Sequence, residues 1–185
     1  MSNLTDFFPS GGGGGLTPKF QEFNTSGTFT PSQALIDAGG YIEVFLVGGG
    51  GGASFANAGG AGGEVIIKKM YLTSTGSCSV TIGSGSTSSG GNSEFLGSGA
   101  GGEDVVSLGG DQNGSQSNKM GAGFGAGRSM DAGGAGSGVF GYGAGGRSSS
   151  VGTGVGVNIG KPNSGQGAAS NQSGGSGYCL IKWYE

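Results

Sequence analysis

Eleven carboxylates, eight cations, five phenols, two thiols and no imidazole make up the ionisable side chains of this sequence. Without histidine, the commonest general base and the commonest metal ligand are missing. The acidic residues are scattered. Glu103 and Asp104 are adjacent, and such a pair reads as a solvated turn more readily than as a general acid with its base. No group of cysteines and carboxylates has metal-ligand spacing. Glycine-rich stretches such as "GGASFANAGG" match G-x-G-x-x-G by chance, and none leads into Gly-Lys-Ser/Thr; Gly160-Lys161 is followed by Pro162. The net charge of -3 leaves no basic surplus for a nucleic acid. No enzyme is expected: no catalytic residue, no metal and no cofactor. Cys78 and Cys179 sit in apolar, strand-like contexts and read as buried thiols, with a disulfide as the alternative.

The remaining chemistry belongs to the backbone. Glycine supplies 50 of the 185 residues, and hydrophobic residues only 33%, so a conventional core must be small. Charged residues are 10%, fewer than disordered chains usually carry. No apolar run reaches membrane-span length, and "MSNLTDFFPSGGGGG" has neither the basic nor the apolar region of a signal peptide. A soluble protein made in the cytoplasm is expected.

Period-two and apolar patterns place the strands. Residues 41–47 (YIEVFLV) are the best of them, apolar enough that both faces are expected to be covered. Residues 64–72 (EVIIKKMYL) and 78–82 (CSVTI) follow, and the turn "TSTGS" between them suggests a hairpin. Shorter strands are expected in "GTFTPS", at 92–97 (NSEFLG) and at 103–110 (EDVVSLGG). "KFQEFN" is a weaker strand, because Phe20 and Phe23 fall on opposite faces, and residues 32–38 form a helical turn or a loop. Apolar content returns only at 177–184 (GYCLIKWY), so this strand must rejoin the sheet built by the first half. The fold expected is all-β: a small antiparallel β-sandwich over residues 16–185, behind a tethered segment, residues 1–15.

Between residues 111 and 177 the chain is almost wholly glycine, alanine, serine and asparagine. Collagen is excluded by irregular glycine spacing and by only 4 prolines. A disordered linker fits poorly with the interspersed Val, Ile, Phe and Tyr. Threefold polyglycine-II helices, packed side by side and hydrogen-bonded to each other, account best for the composition.

The ordered set "GTFTPS…YIEVFLVGGGGG…GGAGGEVIIKK…STGSCSVTIGSGS…GGNSEFLG…GYGAGG…GYCLIKWYE" resembles the glycine-rich domain of bacteriophage tail fibres and related virion proteins. Residues 27–30, 41–52, 59–68, 75–83, 91–97, 141–146 and 177–183 carry the likeness, which spans 17–185. The polyglycine-II tail-fibre adhesins of T-even-like phages are similar in kind. The resemblance implies a virion tail protein that presents loops to a host-surface saccharide or outer-membrane protein. Candidate contacts are Phe55 and Asn57, Asn113 within 111–119, Phe124, Arg128 within 128–131, Phe140, Tyr142, Arg147 and residues 161–163. Each aromatic is read equally well as packing on the glycine segments. Leu4, Phe7, Phe8 and Pro9 form an apolar hook on the Gly11–Gly15 leash, suited to docking on another virion protein or a neighbouring subunit, or to folding back on its own domain. By analogy with fibre proteins the assembly is expected to be a homotrimer. The alternative is a structural subunit of baseplate, head fibre or capsid decoration. Neither nucleic acid nor membrane insertion is expected.

Overall fold

Side-chain size falls along the inward face of several strands, always toward the same end of the molecule. It runs Phe95, Ser93, Gly91 on one, Val105, Ser107, Gly109 on a second, and Ile181, Cys179, Gly177 on a third. Two layers held about 10 Å apart by large side chains must therefore converge at that end. They do so in the computed structural model, which describes residues 15–53, 60–112, 162–168 and 172–185.

Among the described residues, eight antiparallel strands form two four-stranded sheets. The first has the order β1 (Pro18–Phe23), β8 (Tyr178–Tyr184), β3 (Tyr41–Val47), β4 (Val65–Tyr71). The second has the order β2 (Gly27–Phe29), β5 (Cys78–Thr81), β6 (Ser93–Leu96), β7 (Asp104–Ser107). Ile42, Val44, Leu46 and Ile181 from the first sheet meet Phe29, Val80 and Phe95 from the second in one buried cluster. Phe29 takes the edges of two rings, Trp183 at 5.3 Å and Phe95 at 6.4 Å between centroids. A one-turn helix, α1 (Gln33–Asp37), carries the buried Leu35, and the Ser32 hydroxyl caps it by accepting from the Leu35 N–H at 3.0 Å.

The sandwich and the homecoming of the last strand are as expected: β8 lies between β1 and β3. Two expectations fail. Residues 65–82 are not a hairpin, because β4 and β5 belong to different sheets. The turn between them is a corner, fastened where the Thr73 and Ser74 N–H groups donate to the Ala100 carbonyl. Nor is β3 covered on both faces. Its inward residues are buried, while outward-pointing Tyr41 and Phe45 are only half-buried. Cys78 and Cys179 are free, buried thiols. Burial raises the pKa of both, that of Cys179 to about 12, which keeps this thiol protonated and inert.

Candidate functional site

Beyond the strands, the chain continues as extended rods in which glycine is the commonest residue. β3 runs into residues 48–53, β5 into 83–87 and β7 into 108–112. Returning rods 60–64, 88–91 and 172–177 lead into β4, β6 and β8, and a seventh rod, 163–168, joins them.

The hydrogen bonds define their packing. Along residues 48–52, successive N–H groups donate to Glu64, Gly91, Gly175, Ala61 and Ser88. The partner rod therefore repeats every third residue, the repeat of a threefold extended helix. All these acceptors lie on rods running back toward the sandwich. The carbonyls of Gly49, Gly50 and Gly51 accept instead from Gly110, Ser86 and Ala168, on rods running away from it. Rod 48–53 thus has six neighbours. The neighbours also bond to one another around a closed ring. Gly63 donates to Gly165, Gly175 to Gln166, Gly174 to Ser86, Gly91 to Ser84, Gly90 to Gly110, and Ala61 to Asp111, at 2.7–3.0 Å. Direction alternates around that ring. Hexagonal packing of this kind satisfies buried backbone groups without a sheet.

Glycine is required because the rods touch backbone to backbone. A Cβ on Gly50 would fall on the Gln166 carbonyl, and one on Gly51 on the Asp111 carbonyl. The polyglycine-II expectation is met in these rods, though mostly outside the stretch that suggested it: residues 113–161 lie outside the described residues.

A polar collar joins sandwich to bundle. The Ser93 hydroxyl donates to the Val47 carbonyl at 2.6 Å and accepts from the Gly83 N–H at 2.9 Å. The Ser107 hydroxyl donates to the Glu64 carbonyl at 2.6 Å, and the Leu108 N–H donates to the Glu64 carboxylate at 3.0 Å.

The far end of the bundle gathers the connections. Ala53 and Gly60, which bracket residues 54–59, lie there, as do Ala168 and Gln172, which bracket 169–171. Gln112, the last described residue before 113–161, donates through Nε2 to the Thr87 carbonyl at 3.2 Å. Beside it, Thr87, Ser88 and Ser89 form an exposed turn, with the Ser86 and Ser88 hydroxyls 3.0 Å apart. The tip offers hydroxyls, amides and the Asp111 carboxylate. Its chemistry is multiple weak hydrogen bonding; among the described residues no group of acids and thiols could hold a metal.

The predicted contact residues Phe55, Asn57, Asn113, Phe124, Arg128, Phe140, Tyr142 and Arg147 all lie outside the described residues, as do Leu4, Phe7, Phe8 and Pro9. Asn163 is misplaced by the sequence reading. It sits at the sandwich end, in the left-handed region at φ 56, with its N–H and side chain bound to the Ser176 hydroxyl. The Thr87–Ser89 turn was missed; its signal is a run of four hydroxyl residues, 86–89, between Gly85 and the pair Gly90-Gly91.

The opposite end carries the chain's beginning. Pro18 pairs with Tyr184, and the Thr17 N–H donates to the Glu185 carbonyl at 2.7 Å. Tyr41, the start of β3, lies at that end and Val47 at the bundle end, so Thr17 and Pro18 lie at the pole opposite the tip. The Glu185 carboxylate is held below its ordinary pKa chiefly by the Ser32 hydroxyl, then by the Trp183 indole and Lys19. No protein-family model, curated protein or solved structure matches this chain.

Proposed function

We propose that the protein is a bacteriophage tail adhesin, carried on a fibre or tail tip. Its glycine bundle serves as a rigid pedestal for loops that touch the host cell surface. One observation carries the reading: the residues that flank 54–59 and 169–171, the exposed Thr87–Ser89 turn and Gln112 all lie at the pole opposite Thr17 and Pro18. A molecule fastened at one end and exposed at the other has the polarity an attachment protein needs. The motif resemblance supplies the virion setting.

In this reading Leu4, Phe7, Phe8 and Pro9 join the protein to other virion proteins. Residues 54–59, 87–89, 113–161 and 169–171 supply the contacts to a saccharide or an outer-membrane protein. Hydroxyls and amides at the described tip suit a saccharide better than an apolar peptide. The structural alternative, a baseplate, head-fibre or decoration subunit, shares the N-terminal anchorage and differs in having no cell-surface ligand.

The test is binding of the fluorescently labelled full-length protein to a broad panel of bacterial cells, with immunogold localisation on particles. Saturable labelling of some strains is expected, lost when residues 54–59 are replaced by Gly-Ser repeats and competed by surface extracts. Labelling of no strain, with gold on the head or baseplate, would transfer the protein to the structural class.

A further inference from the structure

The two outward sheet faces differ in kind. The β2-β5-β6-β7 sheet turns Thr28, Ser79, Thr81, Glu94 and Asp104 outward beside only two apolar residues, Leu96 and Val106, and is mainly polar. The β1-β8-β3-β4 sheet turns out Phe20, Tyr71, Tyr184 and Ile67, which are 69%, 65%, 53% and 49% exposed, around half-buried Phe45 and Leu180. Large apolar side chains this exposed on one sheet of a small domain, here on both sides of a charged row, mark a contact surface.

The register shows what fits it. Cross-strand pairing places Phe20, Lys182, Glu43 and Lys69 in one row across all four strands, and Glu22, Leu180, Phe45 and Ile67 in the next. A two-fold axis parallel to the strands, midway between β8 and β3, brings each row onto itself. Lys182 then faces Glu43 of the other copy, twice. Phe20 faces Lys69 and Leu180 faces Phe45, also twice. The two central strands are therefore complementary to themselves in charge and in apolar character, while Glu22 meets Ile67 at the margin. Four strands about 4.8 Å apart and seven residues long give a footprint on the order of 450 Å². That is the low end of specific interfaces, and it implies a weak, reversible dimer.

We propose that this sheet face pairs with the same face of a second copy to make a two-fold dimer. Because the axis runs along the strands, both glycine bundles point the same way. Thr17 and Pro18 of both copies lie at the other pole. Two hooks side by side raise the effective concentration of attachment, and two tips do the same for any ligand.

Light scattering and sedimentation of the full-length protein across the micromolar range test this. A concentration-dependent dimer is expected. Glu43→Lys and Lys182→Glu each weaken it by about tenfold or more, and the double exchange restores it. Ile67→Lys abolishes it, while circular dichroism and the melting temperature stay unchanged for all four variants, since these side chains point away from the core. Any of three results overturns the proposal: a trimer, a dimer indifferent to these variants, or a monomer throughout. If the monomer binds an apolar dye only after residues 1–10 are deleted, the face is covered by the chain's own N-terminal peptide. If deletion changes nothing, the face serves a different protein.

Discussion

At the scale of single residues, glycine and serine do the work that large side chains usually do. Gly50 has no room for a Cβ, because the Gln166 carbonyl occupies that space. Gly50→Ala is expected to cost about 3 kcal/mol or more in urea denaturation. Gly91→Ala is the control: its Cβ would meet nothing nearer than the Ser84 N at 3.1 Å, and a loss below about 1 kcal/mol is expected. Ser93 holds a carbonyl of one sheet and an N–H of the other through one buried hydroxyl. Ser93→Ala strands both and should cost roughly 2 kcal/mol in the same measurement. Cys179 gives a pH signature. Burial lifts its pKa from 9.0 to about 12, so the unfolded chain releases this proton first as pH rises. Stability is then intact below pH 9 and declines between pH 9 and 12 by up to about 1.4 kcal/mol per pH unit. Cys179→Ala should flatten that slope relative to the parent in pH-dependent melts.

At the scale of elements, the strands were largely legible because their alternation is a local property. Tyr41–Val47, Cys78–Thr81 and Tyr178–Tyr184 all emerge near their expected bounds. Partnership was less legible. "TSTGS" looks like a hairpin turn, yet it rounds a corner, because the Thr73 and Ser74 N–H groups donate to the Ala100 carbonyl and the strands on either side enter different sheets. Phe20 and Phe23 weakened the case for β1 by sharing no face. The structure resolves this: Phe23 is in the core and Phe20 lies on an outer face that is itself apolar. The rods were the hardest to place. Their ring of hydrogen bonds is written in backbone groups that every residue possesses. Sequence reports only where a Cβ is absent, and serines on the perimeter, such as Ser84, Ser86 and Ser88, look like ordinary loop. The convergence of the sheets was visible in principle, in the fall from Phe95 through Ser93 to Gly91. Of the candidate site, the predicted aromatics lie outside the described residues, while the small polar tip follows only from the ring closing around residues 48–53. Amide exchange gives the check: the N–H groups of 48–52 should rank with those of β3 in protection, and rapid exchange there would refute the bundle.

At the scale of the whole molecule, the sandwich and the bundle are one object whose layer spacing shrinks along its length. Where side chains are large, two sheets face each other across a core. Where they vanish, the same strands close into a hexagon. The bundle adds roughly 19 Å of reach, from six residues rising about 3.1 Å each. The placement of β1 at the sheet edge has a mechanical consequence. A pull between the tether at Pro18 and a contact at the tip acts along the strand axis, not across it. Six paired residues, Pro18 with Tyr184 through Phe23 with Cys179, would then be loaded in shear. Antiparallel ladder bonds lie perpendicular to the strand, so under shear they share the load and yield together, instead of opening one after another like a zip. Loaded end to end, the first strand would hold until all six pairs gave way at once.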